Sequence, residues 1–596
     1  MSAAAGPTRD DVRPAGEGSL RGELAFRADV FAWCLRRARA CAGQGATEAA
    51  LAWLEVAGRQ ATNFPFGHLA SGELEGELLR IARQVAPPPA AGSGGTHARA
   101  AGSGAEPHRG RWLHVFTEVY EIGGHTAMAA RWMEFHDAVD HSAVLLKQGP
   151  PVPDYFAAAV ARGGGRLRRL DPAQPALERA SALRALAWTE ADVVALHVHP
   201  FDVVPMVAFG VPGGPPVLLL NHADHLFGLG GAVADLVVDL RPAGQDLTLR
   251  HRGIPRTALL PILVPEAGAS VAGGAQGAPS REEAKARLGL PSDSVMLLSV
   301  ARAEKYLPLR ERGLDFLDAV QAILRAHPRA WLLAVGPKHD GRWEAASRNT
   351  GGRVRADGPL RDLRLYHAAA DVYLESFPMG SATAALEAAI HGIPCVRGPR
   401  STPPPANTGG LGMQALEQPA DGDAYVGQAL RLLESETARR VGGAKAAAAV
   451  RAHHTGSGWL GYLRGVVDRL PREHAIHPVP APEPSPEPVA AFWAELSLEK
   501  WPCNALVGAL EVALAHGLRP RIDRHLRASL SRPDRWRRHD DSRLAFVRWL
   551  SPLLRLPGPA GATAYRVSYF LRPGGRIRRT WQSLARRLLR AGRSPG

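Results

Sequence analysis

The sequence predicts an α/β protein with two Rossmann-like domains that face each other across a cleft, and with helical extensions at both ends. Short apolar runs alternate with helical segments over residues 111–265 and again over 280–470. This alternation is typical of a doubly wound parallel sheet, and its repetition indicates two such sheets. A Gly/Ala-rich connector at 265–279 separates the two series, so each is expected to form its own domain.

The N-terminal series contains six short apolar runs. Such runs are expected for strands that are buried on both faces of a parallel sheet. They lie at 112–116, 142–146, 191–197, 216–220, 236–240 and 258–260. The loop Gly123-Gly124-His125 follows the first run and leads into a predicted helix over 126–135.

The C-terminal series begins with a helix whose two ends are marked in the sequence. Ser280 and Glu283 have the spacing of a capping box, and Gly289 is suited to close the helix. Strands are predicted at 295–300 and 331–335, and helices are expected to complete this domain as far as residue 470.

Residues 366–400 carry the most informative pattern in the chain. DVYLESF (371–377) predicts a buried strand, which Pro-Met-Gly ends, and 381–391 predicts a helix of small apolar residues that Gly392 closes. A helix N-terminus at the carboxyl end of a strand favours an anion, because free N–H groups and the positive end of the dipole face the ligand.

Two polar residues, Thr383 and Glu387, lie one turn apart on the same face of this apolar helix. A buried carboxylate needs a partner. Behind a phosphate site, the partner expected for Glu387 is a pair of ribose hydroxyls. The alternative is a hydrogen bond from Glu387 to a neighbouring loop.

The segments outside the two domains are predicted to be helices, linkers and disorder. Residues 20–86 have helical periodicity, and Gly43 and Gly45 divide them into two pieces, which indicates a helical hairpin. The predicted segments are 1–19 (disordered), 20–86 (helical extension), 87–110 (flexible linker), 471–489 (Pro-rich linker) and 490–596 (helical, basic region).

The net charge of +15 is concentrated in the C-terminal tail, where residues 542–596 hold twelve Arg and no acidic residue. This distribution does not indicate specific nucleic-acid binding. Within 565–596, Ile577, Trp581, Leu584 and Leu588 share one face of a predicted helix that Arg residues flank. Such a helix suits an anionic membrane surface. The alternative is a solvated basic helix packed on the body of the protein.

Cysteine usage and hydropathy favour a cytoplasmic protein, with peripheral association at the inner membrane face as a further option. The four cysteines form no CxxC pair. The first residues lack the apolar run of a secretory signal, and no run of about 18 uncharged apolar residues predicts a transmembrane helix.

Two stretches of the C-terminal domain resemble those of GT-B glycosyltransferases. They are LLSVARAEKYLP (297–308) and LESFPMGSATAALEAAIHGIPCV (374–396). Their Lys-Tyr-x-Pro and Ser-Phe-Pro segments are most similar to O-linked N-acetylglucosamine transferases and bacterial protein glucosyltransferases. The resemblance implies that a nucleotide-diphosphate sugar is the co-substrate and that no other cofactor takes part. The acceptor would be a protein, a glycan or a lipid.

The resemblance also assigns the donor-binding residues. Arg302 and Lys305 would contact the donor diphosphate, with the helix-end amides at Ser381 and Thr383, and Glu387 would bind the ribose. Lys305 carries more weight than any Arg, because the chain contains only six lysines. Lys338 is a lesser candidate for the same contact.

The large retaining family of this fold has a Glu-x7-Glu motif, and this chain departs from it. The first Glu of that motif would fall eight residues before Glu387, where the chain has Met379. The departure removes one expected contact to the sugar and favours an inverting mechanism.

The N-terminal domain is expected to supply the acceptor site and the base. His125 and His222 are candidate bases, because a histidine with a pKa near neutrality can take a hydroxyl proton. Asp224 is either that base or a residue that orients a histidine. The remaining cleft residues are predicted to be Gly123, Gly124, His199 and His225.

These histidine clusters could also be metal ligands, but the resemblance implies a metal-independent enzyme, so no metal site is predicted. Asp421-Gly422-Asp423 is not at a strand end and is expected to lie on the surface.

Three functions therefore remain open. The first is a nucleotide-sugar-dependent glycosyltransferase. The second is a catalytically silent GT-B body with a basic tail that binds a membrane or a polyanion. The third is a nucleotide-sugar epimerase of the same fold.

Overall fold

The computed structural model describes most of both domains and part of each extension. The described residues are 17–85, 110–266, 279–403, 406, 410–478, 482–501, 505–518, 520, 522–523 and 525–526. The predictions for residues 1–16, for nearly all of the linker 87–110 and for the basic tail 565–596 lie outside them.

The N-terminal domain is built on a sheet of seven parallel strands in the order β3-β2-β1-β4-β5-β6-β7. The strands are β1 Arg111–Phe116, β2 Asp140–Leu145, β3 Gly164–Arg169, β4 Val193–His197, β5 Val217–Asn221, β6 Leu236–Asp239 and β7 Thr257–Leu259. All six predicted strands are present. The sequence analysis missed β3, because this edge strand reads GGRLRR and has no apolar pattern.

Helices cover both faces of this sheet. Helix α4 follows β1 and its first residue belongs to the Gly-Gly-His loop. The helices are α4 Gly124–Phe135, α5 Asp154–Arg162, α6 Ala176–Glu190, α7 Val204–Ala208 and α8 Pro242–Arg250.

The C-terminal domain is built on five parallel strands in the order β10-β9-β8-β11-β12. They are β8 Val295–Val300, β9 Ala330–Val335, β10 Val354–Ala356, β11 Val372–Leu374 and β12 Cys395–Val396. The sequence analysis missed β10, because three residues are too few to show a period. The two parallel sheets confirm the predicted fold class.

The helices of the C-terminal domain begin and end close to the predicted signals. The side chains of Ser280 and Glu283 form the reciprocal capping box, and Gly289 and Gly392 have φ of 70° and 75°. The helices are α9 Arg281–Arg287, α10 Phe316–Ala326, α11 Gly341–Asn349, α12 Arg364–Ala369, α13 Ala382–Ile390, α14 Gly422–Glu434, α15 Glu436–His454 and α16 Gly456–Val467.

The N-terminal extension has three helices in its described part, not the predicted two: α1 Glu17–Gly43, α2 Thr47–Asn63 and α3 Gly72–Ala82. Helix α1 begins inside the segment predicted to be disordered. Helix α3 is fixed to the N-terminal domain by Glu75, whose buried carboxylate accepts hydrogen bonds from the N–H groups of Gly230, Gly231 and Ala232. The extension is therefore part of the body of the protein.

The C-terminal extension also packs on the body. Residues 471–478, predicted as the first half of a linker, return to the N-terminal domain, where His474 Nδ1 lies 2.8 Å from Asp235 Oδ2. Two helices follow, α17 Glu487–Lys500 and α18 Ala505–Ala515. Helix α17 buries Phe492 and Trp493, and α18 joins the apolar core of the N-terminal domain. No helix in the described part of the chain is long and apolar enough to span a membrane.

Asp235→Asn is expected to destabilise the protein by about 3–5 kcal/mol, because it removes the charge from a fully buried network. Asp235 accepts hydrogen bonds from Val217 N and Ala475 N and contacts the rings of His474 and His477. Burial opposes ionisation, but the hydrogen bond with His474 and its charge outweigh it, so the pKa of Asp235 is lowered. This stability is present above the ordinary aspartate pKa and is lost as the pH falls through the lowered value.

Chemical denaturation at neutral and acidic pH measures both effects. The matched control is Asp246→Asn, which removes an exposed ion pair with Arg250 and should change stability by no more than about 0.5 kcal/mol. Equal, small changes in the two variants would contradict the role assigned to Asp235.

Candidate active site in the cleft between the domains

Two helix N-termini face each other across the cleft. Helix α13 begins after Ser381, helix α4 begins after Gly123, and neither residue makes a side-chain cap hydrogen bond in the described structure. A Cβ atom placed on Gly124 would lie 3.0 Å from Thr383 Oγ1, so glycine permits this close approach. Free N–H groups and positive dipole ends from both domains therefore converge on one place, which favours an anion.

The predicted cations lie beside these helix ends. A Cβ atom on Gly123 would lie 3.5 Å from Arg302 Nη2. Lys305 Nζ donates a 2.7 Å hydrogen bond to the carbonyl oxygen of Gly380, one residue before Ser381. The structure thus brings the five sequence-predicted residues Gly123, Arg302, Lys305, Ser381 and Thr383 to one region.

Lys305 has an altered acidity in this position. Burial lowers the pKa of Lys305 to about 8, and the positive charges of Arg241 and Arg302 act in the same direction. Glu375 and Glu304 act in the opposite direction. The ammonium of Lys305 therefore loses its proton at a lower pH than an ordinary lysine does.

Glu387 has a partner that the sequence analysis missed. Its Oε1 accepts a 2.6 Å hydrogen bond from Arg131 Nη2, which joins α13 to α4 across the cleft. Among the described residues, no hydrogen bond reaches the second oxygen, Oε2. The ribose contact remains a prediction, and Oε2 is the atom open to it. No sequence signal pairs two residues that are 256 positions apart.

A second ion pair bridges the domains at the rim of the cleft. Arg361 Nη1 donates to Glu121 Oε1 at 2.9 Å, and the Arg361 guanidinium lies 4.2 Å from the ring centroid of Tyr155. Glu121 belongs to the loop that carries Gly123 and Gly124. Two ion pairs, Arg131–Glu387 and Arg361–Glu121, thus join the two domains.

The predicted strand-end histidines form a cluster on the N-terminal side of the cleft. The rings of His125 and His222 stack with centroids 5.3 Å apart and an interplanar angle of 20°. His125 Nε2 lies 3.4 Å from the carbonyl oxygen of Glu118, which can only accept a hydrogen. That contact favours the tautomer that leaves His125 Nδ1 unprotonated, near Gly123. His199 Nε2 lies 3.3 Å from the hydroxyl of Tyr120.

The prediction of a histidine pKa near neutrality is wrong for this cluster. Burial, with a smaller contribution from the neighbouring His222, lowers the pKa of His125 to about 3 and that of His199 to about 4. The pKa of His222 is also lowered, chiefly by burial. These rings are therefore neutral at physiological pH and can accept a proton. An anion bound nearby would raise their pKa.

Asp224 is not suited to act as the base. Both of its oxygens are bound by Arg241, through Nε at 2.7 Å and Nη2 at 2.8 Å. Burial opposes ionisation, but the charge of Arg241 outweighs it and lowers the pKa of Asp224. The alternative prediction, that Asp224 orients a histidine, fits the structure, because His225 Nδ1 lies 3.3 Å from Asp224 Oδ1.

The predicted cleft residue His225 stacks on Trp493 of α17, with centroids 4.8 Å apart. The C-terminal extension thus forms part of the cleft wall, which the sequence analysis did not predict. Glu375 was also missed. This buried carboxylate follows β11 and accepts a 2.7 Å hydrogen bond from Gly398 N. Its charge partly opposes the lowering of the Lys305 pKa by burial. An acid at the end of an apolar strand run was the signal that could have identified it.

Three other positions weighed from the sequence are Lys338, Asp421 and Met379. Lys338 is exposed. Asp421 is exposed and caps α14 by accepting a hydrogen bond from Ala424 N, as expected for a surface loop. Met379 packs against the core of the C-terminal domain. Within the described ranges, no group of three or more His, Cys, Asp or Glu is arranged to hold a metal ion.

No protein-family model and no curated protein matches the chain. Solved structures similar to it include an O-GlcNAc transferase mutant from Thermobaculum terrenum, with 16% identity, a TM-score of 0.42, and coverage of 81% of this chain and 84% of that one. A glycosyltransferase from Rickettsia africae has 10% identity and a TM-score of 0.46, with coverage of 60% and 98%.

WaaG, a glycosyltransferase involved in lipopolysaccharide biosynthesis, has 14% identity and a TM-score of 0.41, with coverage of 60% and 98%. All three identities are below 25% and all three TM-scores are below 0.5.

Proposed function

We propose that the chain is a metal-independent glycosyltransferase that moves a sugar from a nucleotide-diphosphate donor to a hydroxyl or amide of an acceptor. One observation carries the proposal. The uncapped N-termini of α4 and α13 face each other across the cleft, with Lys305 and Arg302 beside them and neutral histidines on the N-terminal wall.

The C-terminal domain would stabilise the leaving group. Negative charge develops on the diphosphate as the glycosidic bond breaks. The amides at Thr383 and its neighbours, with the Lys305 ammonium and the Arg302 guanidinium, would offer fixed donors to that charge. Lys305 is already held in place by its hydrogen bond to Gly380 O, so little reorganisation is needed. Glu387 Oε2 would accept hydrogen bonds from the ribose.

The N-terminal domain would activate the acceptor. His125 Nδ1 would take the proton of the acceptor hydroxyl while its oxygen attacks the anomeric carbon and the diphosphate leaves. The resulting imidazolium would lie near the negative charge of the leaving group, which raises the pKa of His125 and makes the transfer favourable. His222, stacked on His125, is the alternative base.

A single displacement with inversion fits the residue found at position 379. Met379 is apolar and packs against the core of the C-terminal domain, so it supplies no carboxylate to the sugar. The acceptor would be a protein, a glycan or a lipid.

Incubation of the protein with uridine, guanosine, adenosine and thymidine diphosphate sugars tests the proposal. We expect one donor to release its nucleoside diphosphate and to transfer its sugar to an acceptor, at a rate that a metal chelator leaves unchanged. Loss of transfer on chelation would overturn metal independence. Conversion of the donor without an acceptor would identify an epimerase instead, and no turnover with any donor would favour a silent body.

Binding of the nucleoside diphosphate is expected to weaken as the pH rises above about 8. The pKa of Lys305 is lowered to about 8, so the ammonium that contacts the diphosphate is lost in this range. Affinity should then fall by up to about tenfold per pH unit, since one unit corresponds to about 1.4 kcal/mol. Calorimetric titrations across this range measure the effect.

Lys305→Arg is the control, because arginine stays charged throughout this range. Its affinity should not decline above pH 8. A flat profile in the native protein, or the same decline in the Arg variant, would contradict the assignment to Lys305.

A further inference from the structure

Three buried histidines form a diagonal row across the sheet of the N-terminal domain. His141 on β2 pairs with Trp112, and His197 on β4 pairs with Phe116. His114 on β1 lies between these two levels. Each step to the next strand therefore moves two residues along the chain and stays on one face of the sheet. The three side chains are at most 1% exposed.

Hydrogen bonds join the row from end to end. His114 Nδ1 lies 2.9 Å from His197 Nε2, and His114 Nε2 lies 2.9 Å from His141 Nδ1. His141 Nε2 lies 2.8 Å from the carbonyl oxygen of His136. Trp132 of α4 packs edge-on against the rings of His114 and His197. The row is thus a continuous chain of imidazoles in a buried part of the core.

The carbonyl at one end fixes the tautomer of every ring. A carbonyl oxygen only accepts, so His141 Nε2 carries the hydrogen and His141 Nδ1 is an acceptor. His114 must then donate from Nε2 and accept at Nδ1. His197 in turn donates from Nε2, and its Nδ1 is left with a lone pair. The polarity of the whole row follows from the single contact with His136 O.

The open end of the row is turned to the active-site cluster. His197 ends β4, two residues before His199, and its Nδ1 is buried without a hydrogen-bond partner among the described residues. His222 Nδ1 is also buried without a hydrogen-bond partner among the described residues. His222 and His125 are close enough to His197 to lower its pKa. His197 ends β4 and His222 follows the neighbouring parallel strand β5, so this buried acceptor lies at the same edge of the sheet as the histidine cluster.

We propose that the row His197–His114–His141 is a proton relay serving the cleft. The proposal rests on the glycosyl transfer proposed above. The proton that His125 or His222 takes from the acceptor passes to His197 Nδ1. The hydrogen on His197 Nε2 moves to His114 Nδ1, and the hydrogen on His114 Nε2 moves to His141 Nδ1. The cleft histidine is neutral again, and the positive charge lies on His141, with its Nε2 hydrogen still on His136 O.

The surroundings of the two ends give the relay a direction. Burial lowers the pKa of His114 and His197 well below the ordinary value, whereas it lowers the pKa of His141 only to about 4. A proton is therefore more stable on His141 than on His114 or His197. The ring of His136, a residue of intermediate burial, lies 5.2 Å from that of His141. Burial lowers the pKa of His136, and the charge of Asp137 opposes that shift.

Two substitutions at His114 separate a relay from a structural row. Glutamine can accept from His197 and donate to His141, but it cannot carry a proton; leucine can do neither. If the row is a relay, both His114→Gln and His114→Leu lower kcat by about 10- to 100-fold. This loss is smaller than the rate enhancement of about 10²- to 10⁴-fold that general base catalysis usually gives. The donor KM should stay unchanged in both variants. The matched control, His453→Gln, removes a hydrogen bond with Tyr462 outside the row and should keep native kcat.

Solvent isotope measurements in mixed light and heavy water follow the protons directly. Plotted against the fraction of heavy water, the native rate should fall along a curve, which shows that more than one proton moves in the transition state. The rates of both His114 variants should fall along a straight line, which is the result for a single moving proton. Native kcat in His114→Gln, or a linear native profile, would overturn the relay while leaving the proposed function intact. No turnover by the native protein with any donor would instead overturn the proposed function, and the relay with it.

Nitrogen-15 spectra of the histidine-labelled full chain give a readout that does not depend on activity. In the native protein near neutral pH, His114, His141 and His197 should all be neutral with hydrogen on Nε2. In His114→Gln, the same state is expected for His141 and His197. Hydrogen on His197 Nδ1 would overturn the relay even if transfer is observed.

Discussion

Lys305→Ala is expected to lower kcat by about 10²- to 10³-fold, the usual effect of removing one donor from a developing negative charge. It should also weaken binding of the nucleoside diphosphate by about 10- to 100-fold, since a hydrogen bond to a charged group contributes about 1.5–3 kcal/mol. Lys305 would act twice: in the proposed complex its ammonium would face the diphosphate, and in the structure it holds Gly380 O at the entrance to α13. Initial rates and calorimetry measure the two effects.

Lys445→Ala is the matched control, because Lys445 is exposed on α15 and does not take part in the cleft. It should have native rates and affinity. An unchanged melting temperature in Lys305→Ala would show that the fold is intact. Native donor binding in that variant would remove Lys305 from the site.

His125→Ala is expected to lower kcat by about 10²- to 10⁴-fold, the range of general base catalysis. The affinity for the nucleoside diphosphate should change little, because the side chains proposed to contact the diphosphate are those of Lys305 and Arg302, and the substitution leaves the backbone N–H groups of α4 in place. A large loss of kcat with an unchanged affinity distinguishes a base from a donor-binding residue. Initial rates measure kcat, and donor titrations measure the affinity.

His222→Ala shows which of the two stacked rings takes the proton. If His125 is the base, His222→Ala has the smaller effect on kcat. A larger loss in His222→Ala would move the role to His222, and native kcat in both variants would contradict a histidine base in this cluster. His453→Gln again serves as the control outside the cleft.

The positions of the buried strands along the chain could be predicted from the sequence, because a parallel strand buried on both faces reads as a continuous apolar run. The runs at 216–220 and 295–300 show this pattern. The edge strand β3 and the three-residue strand β10 do not, and both were missed. The segment 471–478 reads as a Pro-rich linker, but it docks on the N-terminal domain through His474, a buried contact that composition does not reveal.

The site could be predicted only as far as local pattern reaches. The helix end at Ser381 and the loop at Gly123 are visible in the sequence, and the structure places them face to face. The pair Arg131–Glu387 depends on the packing of the two domains, and the pair Arg241–Asp224 depends on the path of the chain between β5 and β6. No local sequence pattern marks either pair. The lowered histidine pKa values were missed for the same reason, since burial is a property of the folded chain.

The central claim is that a nucleotide-diphosphate sugar binds between the N-termini of α4 and α13. The most direct test is the melting temperature of the native protein with uridine, guanosine, adenosine and thymidine diphosphate sugars. One of them should raise it, because a ligand at 100 times its Kd stabilises the native state by about 2.7 kcal/mol. The same ligand concentration should stabilise Lys305→Ala by only about 0.4–1.4 kcal/mol, because its binding is expected to be about 10- to 100-fold weaker. No shift of the native protein with any of the four would contradict the claim.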